Sequence, residues 1–231
     1  MMKTSKVVLC RFLRSGAYSA VKSFEMTMRL GILGGTFNPI HNGHLAIAQA
    51  AYRERRLDQV LFVVAKKPPH KETSGLAPAR DRFRMVQLAT APFPYFSASR
   101  LEISRPGPSY TIDTIRRILA RERKGTEIYF IIGTDTVPEL PTWKEVVKLA
   151  SLVHFLCVTR KGFPLEKMNE LDDLFGPKKA IEIKESAIIM KPIEVSSTDI
   201  RRRVAEGKPI DRLTPEPVVE YIRAHNLYRI P

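Results

Sequence analysis

The chain has 231 residues, 44% of them apolar, and a formal net charge of +14. That length suits one α/β domain, or one domain with an appendage, and the apolar share is ample for a core. No apolar run approaches bilayer length. Two cysteines, Cys10 and Cys157, are too few for a disulfide framework and fit a reducing compartment such as the cytoplasm. The charge invites a nucleic-acid reading. An enzyme that handles several phosphates per turnover also gains from a positive field. The basic residues are dispersed and aromatics do not interleave with them, which favours an anionic small molecule over nucleic acid.

Residues 1–28 carry Lys3, Lys6, Arg11, Arg14 and Lys22 against Glu25 alone. Serine-rich and acid-poor, the segment superficially suits a transit peptide, while Arg11 and Arg14 interrupt any secretory apolar core. Met26 or Met28 can equally serve as the start. The segment is read as a non-catalytic extension, and the domain as running from Arg29 to Pro231.

Leu30 to Leu33 reads as a buried strand. Gly34-Gly35-Thr36-Phe37-Asn38-Pro39-Ile40-His41-Asn42-Gly43-His44 follows it, and Leu45 to Tyr52 continues as a helix. Two glycines at a strand exit let backbone approach a ligand, and Pro39 stiffens the loop. His41 and His44 stand at a helix start, where unpaired N–H groups and the helix dipole favour phosphate. Two histidines three apart also suit a metal, but Cys, Asp and Glu are all missing between Gly31 and Tyr52. The loop has neither a Walker pattern nor the dinucleotide fingerprint. A polyphosphate site is the reading.

Leu61 to Ala65 predicts a second strand, Arg80 to Ala91 a helix through Phe83, Val86, Leu88 and Ala89, and Phe96 to Ile103 an extended segment. Thr111 to Arg123 predicts an amphipathic helix with Ile112, Ile115, Ile118 and Leu119 on one face. Glu127 to Ile132 reads as a strand running into Gly133-Thr134-Asp135, Trp143 to Ala150 as a short helix, Leu152 to Val158 as a strand and Ala187 to Met190 as a last one. Lys161 to Lys179 reads as loop and helix. Alternation of this kind predicts an α/β fold with a doubly wound parallel sheet, in which ligands bind beyond the carboxyl ends of the strands.

Val195-Ser196-Ser197-Thr198-Asp199-Ile200-Arg201 comes near the end. Hydroxyls before a helix are good N-caps, and Arg201 returns to the same helix end as Thr198. Alone this is a capped surface helix. Paired with the first motif it reads as a second phosphate clamp.

The histidine–any–glycine–histidine core resembles the nucleotidyltransferase superfamily, and the serine-serine-threonine-any-any-arginine motif resembles its adenylyltransferase branch. Pro68-Pro69-His70-Lys71, Arg105 to Thr114, Ile132 to Asp135, Pro141-Thr142-Trp143 and Ile222 to Tyr228 are similar to the bacterial nicotinate-nucleotide adenylyltransferases. The likeness runs from Arg29 to Tyr228 and matches only loosely over Lys161 to Glu185.

It implies a Rossmann-like nucleotidyltransferase fold, ATP and nicotinate mononucleotide as partners, pyrophosphate as a product, and Mg²⁺ arriving with ATP rather than in a carboxylate cage. A membrane or nucleic acid is not expected; a homo-oligomer is left open. By resemblance His41, His44 and Arg201 are catalytic. Gly34, Gly35, Thr36, Phe37 and Asn38 belong to the phosphate loop, and Ser197 and Thr198 to the second clamp. His70 and Lys71 neutralise the mononucleotide phosphate, and Thr111 and Trp143 meet the nicotinate ring. Asp135, beside Gly133, holds adenosine ribose, and Arg160 packs near adenine. Nicotinamide mononucleotide, as sole or second acceptor, is the rival substrate. A basic nucleic-acid-binding protein on the same fold is the rival class.

Overall fold

The computed structural model describes residues 27–67, 75–159, 168, 170–191 and 193–229. The N-terminal extension up to residue 26 and the predicted site residues His70, Lys71 and Arg160 lie outside these described residues.

Five strands, β1 (Arg29–Gly35), β2 (Gln59–Val64), β3 (Phe96–Ser99), β4 (Glu127–Gly133) and β5 (His154–Val158), form one sheet in the order β3-β2-β1-β4-β5. Every pairing is parallel. β1 is central, and its Leu30, Gly31, Ile32 and Leu33 are buried, as expected of a strand covered on both faces. Its neighbours diverge to opposite sides, so the loop after β1 opens at the switch point where such sheets bind ligands.

The helices are α1 (Asn42–Glu54), α2 (Ala79–Thr90), α3 (Thr111–Leu119), α4 (Val146–Ala150), α5 (Glu170–Phe175), α6 (Pro177–Glu185), α7 (Ser197–Ala205) and α8 (Glu216–Ala224). Two apolar clusters sit on the two faces of the sheet. One gathers α1, α2, α7 and α8 around Phe62, Met85, Ile200 and Ile222. The other gathers α3 to α6 around Ile32, Ile115, Phe155 and Ile183. α3 buries Ile112, Ile115 and Ile118, as its periodicity predicts.

Several boundaries differ from expectation for local reasons. α3 stops at Leu119 rather than Arg123, because the charged run Arg121-Glu122-Arg123-Lys124 has no apolar face to bury and winds into a turn at Gly125, φ 90°. β3 ends at Ser99 rather than Ile103, where the Leu101 N–H donates to Ser99 Oγ at 3.3 Å and the chain turns. The short helix expected from Trp143 begins at Val146, after Glu145 adopts φ 51°. Ahead of it lies an unpredicted 3₁₀ helix, Thr134–Thr142, whose Pro138 and Pro141 suit the tighter turn. The expected strand at Ala187 to Met190 is reduced to one parallel bridge, Ile188 to Val158. In α2 the buried face is Arg82, Met85, Val86 and Ala89, while Phe83 and Leu88 lie at its edge. Among the described residues no helix is long and apolar enough to cross a membrane.

Candidate active site

The loop between β1 and α1 is built tightly. Phe37 takes φ 47°, an unusual value for a bulky side chain, and its ring is 1% exposed. It meets His44 edge-on at 5.0 Å. On the other side His41 stacks on His44 with ring centroids 3.7 Å apart. His44 is therefore held between two rings. Its Nδ1 accepts the His41 N–H at 3.2 Å, so the neutral ring carries its proton on Nε2, at the opposite edge. Gly43 makes the stack feasible: a Cβ there would stand 3.1 Å from the His41 ring and 3.0 Å from Val195 Cγ1.

A cavity of about 270 Å³ opens beyond β1 and β4. Gly34, Gly35, Thr36, His44, Thr111, Gly133, Asp135 and Trp143 are among the residues that line it. All of these were anticipated from sequence. α3 starts at Thr111, so its positive end faces the cavity. Trp143 is half-buried and meets Phe130 edge-on at 5.9 Å, so it both lines the cavity and anchors the core. A second cavity, about 430 Å³, lies toward α7 between Gly43, Thr159, Met190 and Ser196. Ile47 and Asp135 line both cavities.

Phe37, Asn38 and His41 stand behind the cavity wall rather than on it. Asn38 is 3% exposed; its amide donates to Gly75 O at 3.1 Å and accepts from Ala77 N and from the Tyr228 hydroxyl. Its visible work is to hold the loop.

The C-terminal motif meets this loop directly. Arg201 Nη1 donates to Asn38 O at 2.9 Å, Ser197 Oγ to Pro39 O at 2.9 Å, and Thr214 Oγ1 to Ile40 O at 2.8 Å. Three successive carbonyls are thus capped by residues about 160 to 174 positions away. Ser196 caps α7 by accepting from Asp199 N–H at 3.1 Å. Arg202 and Arg203 turn back onto Asp199, holding its carboxyl below the usual range, with Arg203 first. Arg201 is left facing the loop, its Nη2 donating to Thr198 Oγ1 at 3.3 Å. Two of its five N–H donors are used in these bonds.

Two residues that sequence reasoning passed over organise the cleft. Arg82 is 1% exposed and donates to Thr36 O, Ala65 O, Lys66 O and Ala77 O. It ties the exits of β1 and β2 together, at a desolvation cost that lowers its pKa. Glu102 is 8% exposed, lines the first cavity and accepts from Thr114 Oγ1 at 2.6 Å. Arg82 had a signal, a charge on the apolar face of a helix. Glu102 had none, since the sequence placed it in an extended segment that ends at Ser99 instead.

The donors that line the cleft suit phosphate. Among the described residues no three His, Cys, Asp or Glu side chains gather to cage a metal. Asp135, Glu102 and Glu139 are the carboxylates lining the first cavity, so a divalent cation there would rely largely on ligands that a phosphate brings with it.

Comparison with known proteins agrees with this geometry. Residues 32–203 match the family model described as cytidylyltransferase-like. The chain is 44% identical over 203 residues to a probable nicotinate-nucleotide adenylyltransferase of Moorella thermoacetica, covering 87% of this chain and 92% of that one. It is 42% identical to a like-named protein of Thermus thermophilus, covering 87% and 100%. The fold matches the Plasmodium falciparum nicotinic acid mononucleotide adenylyltransferase solved with NaAD, with TM-score 0.68, 18% identity, and 87% and 97% coverage. By these criteria the chain belongs to the nicotinate-nucleotide adenylyltransferase family of nucleotidyltransferases.

Proposed function

We propose that the protein transfers AMP from ATP to nicotinate mononucleotide, giving nicotinate adenine dinucleotide and pyrophosphate in NAD biosynthesis. The observation that carries this reading is the pair of cavities sharing Asp135 and Ile47, one beside Thr111 and Trp143 and one beside α7. Two nucleotides seated there would meet at Ile47 and Asp135, with Gly34 to Thr36 and His44 on the first cavity's side of the junction. The relatives' shared name supplies the acceptor. The positive end of α3 at that cavity favours an anionic ring substituent over a neutral amide.

An oxygen of the acceptor's 5′-phosphate attacks the α-phosphorus of ATP. The bond to the α,β-bridging oxygen breaks, and pyrophosphate leaves with the electron pair. The attacking phosphate is already ionised, so no general base is needed and no covalent enzyme intermediate forms. The protein's work is positioning and charge stabilisation. His44, with its Nε2 proton, donates to the phosphate where charge develops, and His41 sets its orientation and tautomer. Thr36 and the Gly34–Gly35 backbone hold phosphate, and His70 and Lys71 add positive charge to the acceptor side. Arg201, with Ser197 and Thr198, braces the loop and directs its remaining donors to the departing pyrophosphate. Asp135 holds adenosine ribose, and family resemblance assigns adenine to Arg160, which is outside the described residues. When bound, Mg²⁺ would neutralise charge on the triphosphate.

Residues 1–28 take no part, and the catalytic domain starts at Arg29. The compartment that goes with this reading is the cytoplasm, in keeping with the buried free thiol of Cys157. The charge excess alone does not favour nucleic acid, since an enzyme that handles several phosphates per turnover gains from the same positive field. ATP labelled at the α-phosphorus tests the chemistry. The label should enter the dinucleotide, and γ-label should appear in pyrophosphate. Label passing instead to AMP or ADP would sink the reading.

A further inference from the structure

We infer that Glu102 is a positioning residue that sets the wall of the mononucleotide cavity and thereby the affinity for that substrate; this rests on the function proposed above. The turn at Ser99 to Leu101 carries Glu102 inward from the end of β3 to a place where it is 8% exposed. A carboxyl there needs donors. Thr114 supplies one from the second turn of α3, at 2.6 Å. Ser109 supplies another through its hydroxyl, and the Arg105 guanidinium adds positive charge. The Ser109 Oγ in turn accepts from the N–H groups of Lys66 at 3.1 Å and Lys67 at 3.4 Å. One carboxyl therefore joins the exit of β2, the loop before α3, and α3 itself.

Those segments carry Tyr110 and Thr111, which line the same cavity. The position of the α3 N-terminus relative to β1 depends on this knot. Burial pushes the Glu102 carboxyl up from its ordinary value, against the pull of Thr114, Ser109 and Arg105. Such a group is retained at a cost, and the wall it shapes is a reason to retain it. The second cavity, at Val195 to Asp199, contributes no residue to the knot. Loss of Glu102 should loosen one half-site and spare the other. Without the carboxyl the Ser109 hydroxyl loses that acceptor and Thr114 keeps only its bond to Tyr110 O at 3.2 Å, which would let the loop relax outward.

Steady-state kinetics on Glu102→Ala and Glu102→Gln tests this, each substrate being varied with the other saturating. In Glu102→Ala the KM for nicotinate mononucleotide should rise at least tenfold while that for ATP stays within twofold. Glu102→Gln should recover most of the loss, because its amide oxygen still accepts from Thr114. Equal rises in both KM values, no rise in either, or a glutamine variant no better than alanine would overturn the inference. If Glu102→Ala does not fold, Thr114→Val removes one donor and should give the same one-sided rise. A wild-type protein inactive on nicotinate mononucleotide would refute the functional reading instead. In that event hydrogen exchange of residues 104–114 decides on Glu102: faster exchange in Glu102→Ala or Thr114→Val supports the knot, and unchanged exchange in both refutes it.

Discussion

Replacing Arg82 with methionine should cost the protein a large part of its stability. The guanidinium is 1% exposed and donates to Thr36 O at 2.6 Å, Ala65 O at 2.7 Å, Ala77 O at 3.0 Å and Lys66 O at 3.3 Å. Hydrogen bonds from a charged group contribute about 1.5–3 kcal/mol each, so four set an upper bound of roughly 6–12. Against that, methionine removes a cation whose lowered pKa records the cost of its burial. Carbonyls left without a donor cost about 1–3 kcal/mol each, and relief of the buried cation offsets part of that sum, so a net loss of about 3–5 kcal/mol is expected. For a chain of this size, at about 2–4 °C per kcal/mol, the midpoint should fall by roughly 6–20 °C. Urea unfolding followed by circular dichroism, with a thermal melt alongside, reads both quantities. Arg82→Lys should recover less than half, because a point charge with three donors cannot span four carbonyls. A loss below about 1 kcal/mol for Arg82→Met would refute the claim that this residue ties the strand exits together.

Three further outcomes are expected. His44→Ala should lower turnover by more than about tenfold with the thermal midpoint little changed, since a transition-state contact is lost; wild-type turnover would remove His44 from the chemistry. Arg201→Ala should raise the KM for ATP and slow the reverse reaction with pyrophosphate, and it should also destabilise the loop that loses its bond to Asn38 O; an unchanged ATP dependence would count against the second clamp. The raised Glu102 pKa makes the folded protein hold a proton that the unfolded chain has lost just above pH 4.5. Stability should therefore fall as pH rises through that window, and Glu102→Gln should flatten the slope in urea titrations from about pH 4 to 7.

The fold was legible because its strands announce themselves. Leu30 to Leu33 and Glu127 to Ile132 are apolar runs too short for helices, separated by segments with helical period, and both pair as expected. The loop between β1 and α1 stood out as a candidate site for a different reason: glycines, a proline and two histidines at a strand-to-helix junction have few purposes in common. Sequence could not show which of those residues reach the cavity. His41, Phe37 and Asn38 share a motif with His44, yet they face inward because Phe37 turns the backbone through positive φ. Nor could spacing reveal that Ser197 and Arg201 cap the carbonyls of Pro39 and Asn38, a contact that exists only once α7 has docked. The 3₁₀ segment at Thr134–Thr142 escaped because its two prolines read as loop. Glu102 escaped because an acid near the end of a segment read as extended looks solvated until the fold encloses it.

The cavity between Thr36, Thr111 and Trp143 is proposed to seat an anionic pyridine nucleotide for adenylylation. The most direct measurement is pyrophosphate release from Mg-ATP with nicotinate mononucleotide and nicotinamide mononucleotide in parallel. Fast release with the acid and little with the amide is the predicted result. No release with either, from folded protein, would contradict the account; comparable rates with both would keep the chemistry and refute the selectivity assigned to the α3 N-terminus.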